Sequence, residues 1–160
     1  MLRLLGPKQT VPDPTSTLAY GPLVDWIGFN LRMAQEASFL AFARQSRSVA
    51  GTRPGRFAML TLINENPGIS QTALGRAAGR DKSTLTPVLN DLVRRGWIRR
   101  ERNRDDRRTY LLTLTPRGKK KLTELNACAR RHERNLDRII GPDERARFLA
   151  TLRRIAAEIG

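Results

Sequence analysis

The stretch that decides the fold reads Ser70-Gln-Thr-Ala-Leu-Gly-Arg-Ala-Ala-Gly-Arg-Asp-Lys-Ser-Thr-Leu-Thr-Pro-Val-Leu-Asn-Asp-Leu-Val-Arg-Arg-Gly96. Apolar residues recur at helical spacing before and after Gly79-Arg80-Asp81, a sequence typical of a turn. Ser70 is a good N-cap for the first helix, and Gly96 suits the position just past the end of the second. The stretch therefore predicts two short amphipathic helices joined by a turn, a helix-turn-helix.

A basic hairpin is predicted directly after this unit. Residues 97–102 and 109–114 have the composition of strands, and Tyr110, Leu112 and Leu114 share one face of the second. Between Arg94 and Arg108 the chain carries eight arginines and three acidic residues, a net charge of +5. Such a cationic tip repels itself unless an anion lies nearby, so the hairpin favours contact with a polyanion; a solvated charged loop is the alternative.

The overall composition indicates the same kind of partner. In the 160-residue chain, 30 Lys and Arg oppose 15 Asp and Glu, which gives a net charge of +15 and a pI near 11.5. This excess favours nucleic acid first and an anionic membrane surface second. Because no apolar run is long enough to span a membrane and one cysteine allows no internal disulfide, a cytoplasmic location is expected.

The sequence predicts neither a cofactor nor a metal, and it does not favour an enzyme. One histidine (His132) and one cysteine (Cys128) are too few for a His/Cys zinc site within one subunit. The chain has no glycine-rich phosphate loop, and no nucleophile has an evident base.

The flanking regions are expected to have other tasks. Residues 1–21, which contain several prolines, are predicted to form an extended or mobile arm; packing on a partner subunit is the alternative. Residues 22–160 are predicted to form a single domain with long helices at about 22–48 and 115–159. The helix at about 22–48 is apolar on more than one face, and the helical region that begins at residue 115 has apolar residues at 3.5-residue spacing. Both patterns indicate dimerisation. Packing in a core within one chain is the competing explanation. The residues expected at the dimer interface are Leu23, Ile27, Leu136, Ile139, Leu149, Leu152, Ile155 and Ile159.

A specific motif begins in the charged tip of the hairpin. The run reads Asp106-Arg-Arg108-Thr-Tyr-Leu111-Leu-Thr-Leu114-Thr115-Pro-Arg-Gly118. It matches at each fixed position the wing pattern D-x-R-x-x-x-L-x-L-T-x-x-G of the MarR family of bacterial transcriptional regulators, which the chain resembles over about residues 23–159. The resemblance implies a mainly α fold with a small β-hairpin wing (α+β), in which a winged helix-turn-helix at about residues 55–114 lies between dimerisation helices. It also implies a homodimer that represses transcription from a pseudo-palindromic operator and is released by a small molecule or by thiol oxidation.

The exposed face of the second helix of the helix-turn-helix suits the major groove of DNA. Asn90 can bind adenine in bidentate fashion, and the ring of Pro87 can pack against a thymine methyl. The resemblance implies that Asp106 braces the wing and that Arg108 enters the minor groove. A polar solvent face on an ordinary helix is the alternative interpretation. The side chains expected to contact double-stranded DNA are Ser70, Gln71, Lys82, Ser83, Thr84, Thr86, Pro87, Asn90, Arg104, Asp106, Arg107, Arg108 and Lys120.

An effector site is implied between the dimer helices and the winged unit. Aromatic, Met and Arg residues there suit an anionic aromatic molecule, either a phenolic acid or an aromatic acyl-CoA thioester. The residues expected to line this site are Trp26, Phe29, Arg32, Met33, Arg47 and Phe57. Two alternatives stay open: a peroxide-sensing repressor that uses Cys128, and an architectural protein that binds DNA without sequence preference.

Overall fold

The computed structural model describes residues 18–46, 49, 54–104, 106 and 108–159. The predicted arm lies almost entirely outside these residues, and so do Arg47 and Arg107. Contacts divide the chain into two compact units, Met1–Glu36 and Ala37–Gly160. The single domain from residue 22 stays a prediction.

The described elements are mostly helices. A 3-10 helix at Gly21–Asp25 precedes α1 (Ile27–Gln45), α2 (Pro54–Glu65), β1 (Ile69–Ser70), α3 (Gln71–Ala77), α4 (Lys82–Arg94), β2 (Ile98–Arg102), β3 (Tyr110–Leu114), α5 (Pro116–Ile140) and α6 (Pro142–Ile159). This order confirms the predicted class, a mainly α fold with a small β wing. Within the described residues, no helix is long and apolar enough to cross a membrane.

The first helix begins later than the sequence predicts. The chain makes a single 3-10 turn after Gly21, and Trp26 is extended (φ −84°, ψ 125°), so α1 starts only at Ile27. The side-chain amide of Asn30 donates to the carbonyls of Val24 and Trp26, at 2.9 Å each. The first bond gives the Val24 carbonyl a partner at the break, whereas the Trp26 carbonyl also accepts from the Asn30 backbone amide (3.1 Å).

The wing is part of a three-stranded antiparallel sheet of order β1-β3-β2. β2 and β3 pair in the register Ile98 to Leu114 and Arg102 to Tyr110, which confirms the predicted hairpin. The two-residue β1 adds a third strand, with Ile69 opposite Leu112. The sequence did not predict β1, because two residues are too few to show an alternating pattern.

The core of the second unit fixes the helix-turn-helix on the sheet. Its buried members come from α2, α3, α4, the wing strands and the first half of α5: Met59, Leu60, Ile63, Leu74, Leu85, Leu89, Leu92, Trp97, Ile98, Leu112, Leu122 and Leu125. Fully burying a Leu or Ile side chain contributes about 1.5–3 kcal/mol, so this cluster dominates the stability of the unit. Leu122, Leu125 and His132 of α5 are therefore buried within the chain, whereas Ile139 near the end of the helix is exposed.

The start of α5 is locked onto the end of α4. The Thr115 hydroxyl accepts from the Gly118 amide (3.0 Å) and donates to the Gly96 carbonyl (2.6 Å). Gly118 is buried so closely against the Trp97 carbonyl that an added Cβ would lie 1.9 Å from that oxygen. The Thr and Gly of the wing motif are thus structural, because they let α5 leave the sheet in contact with the core.

Candidate nucleic-acid interface

The N-terminus of α4 is organised by Asp81. Its carboxylate accepts from the Thr84 amide (2.8 Å) and the Ser83 hydroxyl (2.6 Å), which is an N-cap. The bond from Ser83, followed by that from the Thr84 amide, lowers the pKa of Asp81 below its usual value. Because the Thr84 hydroxyl also donates back to the Asp81 carbonyl (3.2 Å), both hydroxyls offer their lone pairs rather than their protons to a ligand.

The outward face of α4 carries five of the six predicted contacts that lie on this helix. Lys82, Ser83, Thr84, Pro87 and Asn90 are exposed, whereas Leu85, Leu89 and Leu92 on the opposite face are buried.

Thr86 differs from the rest of the predicted α4 set. It is half-buried, donates to the Lys82 carbonyl (2.8 Å) and lies 3.2 Å from the side-chain amide of Gln71. It therefore ties α3 to α4 and has less capacity left for DNA than the sequence suggests. Ser70 accepts from the Ala73 amide (3.1 Å) as the N-cap of α3.

The tip of the wing is braced by Asp106. Its carboxylate accepts from the Thr109 hydroxyl (2.6 Å) and the Arg108 amide (3.0 Å), and these two bonds lower its pKa. They hold the turn, while the Arg104 and Arg108 side chains remain exposed. The bracing role that the resemblance implies thus has a physical basis in backbone and hydroxyl contacts.

A stack of cations on an aromatic ring stiffens the wing. The Arg100 guanidinium lies 3.9 Å from the Tyr110 ring centroid, and Arg102 reaches the phenol oxygen of the same residue at 3.4 Å. That hydrogen bond and the nearby charges lower the pKa of Tyr110. Such contacts hold long arginine side chains in place without neutralising them.

A cleft of about 720 Å³ separates α3 and the start of α4 from the wing. Five cations and a single acid line it: Arg76, Arg80, Lys82, Arg100, Arg108 and Asp81. The buried Nε of Arg100 has no hydrogen-bond partner among the described residues. A buried N–H without an acceptor costs about 1–3 kcal/mol, so an acceptor that reached this atom would lower the free energy of the cleft.

Three cations that line this cleft were not predicted from the sequence: Arg76, Arg80 and Arg100. The period of α3 places Arg76 on the face opposite the buried Leu74, and alternation along β2 separates Arg100 from its exposed neighbours Arg99 and Glu101. These signals were present in the sequence. The close approach of α3 to the wing was not.

Lys120, another predicted contact that the structure describes, lies on neither α3, α4 nor the wing. It is exposed near the start of α5 and lines a separate cleft beside Trp97.

A buried carboxylate ties α4 to α2. Asp91 pairs with Arg56 (2.8 Å) on α2, and with Arg94 (2.5 Å) and Arg95 (2.8 Å) at the end of its own helix. Burial alone would raise the pKa of Asp91, but the hydrogen bonds from Arg95 and Arg94 and the charge of Arg56 outweigh it and lower the pKa. These ion pairs anchor the C-terminal end of α4, opposite its Asp81 cap.

The predicted effector residues fall into two groups. In the first unit, Trp26, Arg32 and Met33 are exposed, and the Phe29 ring lies 5.9 Å from that of Tyr20. In the second unit, Phe57 belongs to an aromatic cluster with Phe42 and His132.

The cluster around Phe57 includes the buried side chain of His132. Phe57 lies 5.6 Å from Phe42, whose ring meets the edge of His132 at 5.8 Å. The imidazole Nε2 of His132 lies 2.9 Å from the Ser38 hydroxyl, and its buried Nδ1 has no partner among the described residues. The cluster is therefore a buried aromatic environment that holds one polar atom without a partner among the described residues.

The predicted dimer residues stay at least partly exposed in the isolated chain. Ile27, Ile139 and Ile159 are 74%, 80% and 81% exposed, and the other five are half-buried. Within the described part of the chain, no group of three or more His, Cys, Asp or Glu side chains could hold a metal ion.

Comparison with known proteins accounts for this architecture. The MarR family model matches residues 53–110. A candidate transcriptional regulatory protein for the hcr operon of Thauera aromatica is 35% identical over 138 residues, which cover 86% of this chain and 83% of that protein. The structure of the repressor CouR bound to a 23-mer DNA duplex matches with a TM-score of 0.79 at 33% identity, over 88% of this chain and 99% of that chain.

Two ligand-bound structures are similar to the same extent. CouR bound to p-coumaroyl-CoA gives a TM-score of 0.80 at 31% identity, covering 88% of this chain and 99% of that chain. The PcaV regulator from Streptomyces coelicolor with its natural ligand gives 0.78 at 28% identity, covering 89% and 100%. The chain belongs to the MarR family of winged-helix, DNA-binding transcriptional regulators.

Proposed function

We propose that this chain is a repressor that binds a pseudo-palindromic operator as a homodimer and is released by a small anionic aromatic effector. The observation that carries the DNA-binding part is the cationic cleft between α4 and the wing, with the unpartnered Nε of Arg100 inside it. The proposal describes a regulator rather than an enzyme.

The cleft fits one docking arrangement. If α4 enters the major groove and the wing the adjacent minor groove, the strand that divides the two grooves passes over the cleft between them. Its phosphates would then meet Arg76, Arg80 and Arg100, while Asn90 faces base edges and Arg108 the minor groove. The proposed contacts are these residues and the set predicted from the sequence, with a smaller part for Thr86.

The homodimer is supported by apolar surface that the chain leaves uncovered. Ile139 on α5 and Ile159 on α6 are about four-fifths exposed, although they continue helical stripes that are partly buried elsewhere. Exposed stripes of this kind on terminal helices mark association sites. A homodimer would also place two winged units on one face of the duplex, about 10 bp apart.

An aromatic effector is supported by the Phe42–Phe57–His132 cluster. Rings at 5.6 and 5.8 Å form apolar walls, and the His132 Nδ1 offers a hydrogen bond that no described residue takes. The relatives point the same way, since CouR is described bound to p-coumaroyl-CoA and PcaV bound to its natural ligand. We therefore propose a phenolic acid or its CoA thioester as the effector, with Trp26, Phe29, Arg32, Met33 and Arg47 as further candidates for its site.

The burial of Cys128 favours a ligand over an oxidant as the signal. The thiol is 1% exposed, with Sγ 3.6 Å from the Gln45 carbonyl and 3.2 Å from the Arg131 guanidinium. Oxidants in solution react with accessible thiolates, and this sulfur is enclosed.

The test begins with the operator. Footprinting of genomic DNA with the purified protein should yield a pseudo-palindromic site, whose neighbouring genes would indicate the effector. Arg100→Ala should lower operator affinity and reduce the salt slope by about one phosphate, because it removes the unpartnered donor from the cleft. Arg99→Ala is the matched control, since Arg99 neighbours Arg100 on the exposed face of β2. Equal effects of the two variants would refute the docking arrangement.

The effector is tested by calorimetric titration with hydroxycinnamic acids and their CoA thioesters, followed by operator release. His132→Phe should weaken the binding of the active compound while operator affinity in its absence is kept. If no compound of either class binds or releases DNA, the effector proposal fails, although the DNA-binding proposal does not.

A further inference from the structure

A second cationic cleft, of about 340 Å³, lies at the start of α5. Its floor is Trp97, and the side chains around it are Arg95, Arg117, Lys120, Lys121 and Glu124. Four cations thus surround one carboxylate in a concave site too small for a protein segment.

Two of these cations are held in place by partners, and the charge of one of them, Arg95, stays in excess. The Arg95 Nε donates to Asp91 (2.8 Å) while its guanidinium lies 5.3 Å from the Trp97 ring centroid. The Lys121 ammonium pairs with Glu124 (2.5 Å) and lies 5.8 Å from the same ring. Asp91 is shared among three arginines, so it cannot neutralise Arg95.

The remaining two cations complete the site. Arg117 and Lys120 are exposed, and neither forms a salt bridge with a described residue. Fixed arginine and lysine side chains around a small concave surface are the arrangement that recognises phosphate, because the guanidinium presents several donors and the ammonium adds a point charge.

The position of this cleft relates it to the first one. The first cleft includes Lys82, at the start of α4, whereas the second includes Arg95, just past its end. Thirteen residues of helix span about 20 Å at 1.5 Å per residue, whereas the major groove is about 12 Å wide. A helix of this length is long enough to touch one bordering strand with its first turn and the other with its last, if its axis crosses the groove.

We propose that the cleft formed by Arg95, Trp97, Arg117, Lys120 and Lys121 is a second phosphate site, which takes the DNA strand on the far side of the major groove. The inference rests on the proposed DNA-binding function and names the residues that hold α4 at both ends. The same chemistry would also take a free ligand that carries phosphate, and the test separates these two sources.

The test uses the full-length protein and the double variant Arg117→Ala/Lys120→Ala, which removes the two unpaired cations and leaves the Arg95–Asp91 and Lys121–Glu124 pairs intact. The charge-matched control is Arg130→Ala/Arg134→Ala, which removes two exposed arginines of α5 that lie at least ten residues further along the helix than Lys120. Operator affinity is measured over a range of salt concentrations. In parallel, the two tryptophan indole signals are followed by NMR during titration with inorganic pyrophosphate, and the exposed Trp26 serves as the internal reference.

If the site takes the DNA strand, the double variant lowers affinity about tenfold for all sequences alike and reduces the salt slope by about two phosphates, and the control leaves both nearly unchanged. If the site takes a free phosphate ligand, operator affinity stays equal to that of the control, while pyrophosphate shifts the Trp97 signal in the wild type and not in the double variant. Equal operator affinity together with an unmoved Trp97 signal would overturn the proposal. A wild-type protein that finds no operator would instead refute the proposed function and leave the pyrophosphate result to decide on the site.

Discussion

Gly118→Ala tests the contact between Trp97, at the start of the wing, and α5. An alanine Cβ at this position would lie 1.9 Å from the Trp97 carbonyl oxygen and 2.8 Å from its carbon. Real Cβ atoms essentially never approach within 3.0 Å, so α5 or the Trp97 peptide must move by about 1 Å. Neither can do so freely, because Trp97 is 3% exposed and its carbonyl accepts from the Thr115 amide at 3.1 Å.

The magnitude follows from opposing contributions. Overpacking costs about 1–3 kcal/mol, and loss of the Thr115 hydrogen bond costs about 1 kcal/mol more. The better helix propensity of alanine offsets up to about 1 kcal/mol. The net result is a loss of about 1–4 kcal/mol, which for a chain of this size lowers Tm by about 2–16 °C.

Gly28→Ala supplies the matched control. Gly28 lies in the first turn of α1, and a Cβ there meets nothing within 4 Å. This control should keep or slightly raise Tm. Both variants are measured by thermal unfolding at one protein concentration, because association would shift Tm. A Gly118→Ala protein as stable as Gly28→Ala would show that the Trp97 contact does not constrain α5.

Three further predictions concern α4. Asp91→Asn should cost roughly 2–3 kcal/mol in urea unfolding at neutral pH, somewhat less than a fully buried pair, because Arg56 and Arg95 keep some contact with water; an unchanged midpoint would contradict the anchoring role. Because the pKa of Asp91 in the folded protein lies below its ordinary value of 3.8, its contribution should be complete above that value and disappear as pH falls through the lower folded pKa; the difference between wild type and Asp91→Asn should therefore shrink in acid, and a constant difference would refute the assignment. Asn90→Ala should cost about 1–3 kcal/mol and relax preference at one base pair of the operator, as measured by binding to a set of single-base operator variants.

The sequence predicts the wing and the caps well because their causes are local. Thr115 as N-cap and Pro116 as first residue fix the start of α5, and the Asn103–Thr109 tip is closed by Asp106 three residues before Thr109. Side-chain caps act over three or four residues, so the pattern of residue types contains the structure.

The cleft residues could not be predicted in the same way. Arg100 differs from Arg99 only in which side of β2 it faces, and the consequence of that side depends on α3, which lies more than twenty residues earlier in the chain. The role of Asp91 likewise depends on a residue that is distant in the sequence, since its partner Arg56 lies on α2. The sequence pattern placed Asp91 on an amphipathic helix and gave no sign of the pairing.

The cleft beside the wing (the wing cleft) and the aromatic cluster around His132 share a feature that separates them from the rest of the fold. The polar groups that hold the fold are satisfied: Asp81, Asp91, Asp106 and Thr115 each have at least two hydrogen-bond or ion-pair partners. The buried side-chain atoms without partners in the described chain are Arg100 Nε in the wing cleft, and His132 Nδ1 and Gln45 Oε1 near the aromatic cluster. A folded protein leaves a buried donor or acceptor unpaired only at a cost, and a ligand that completes the hydrogen bond recovers that cost on binding. The same reasoning is what supports a phosphate as the proposed ligand of the wing cleft and a polar group on an aromatic molecule as the proposed partner of His132.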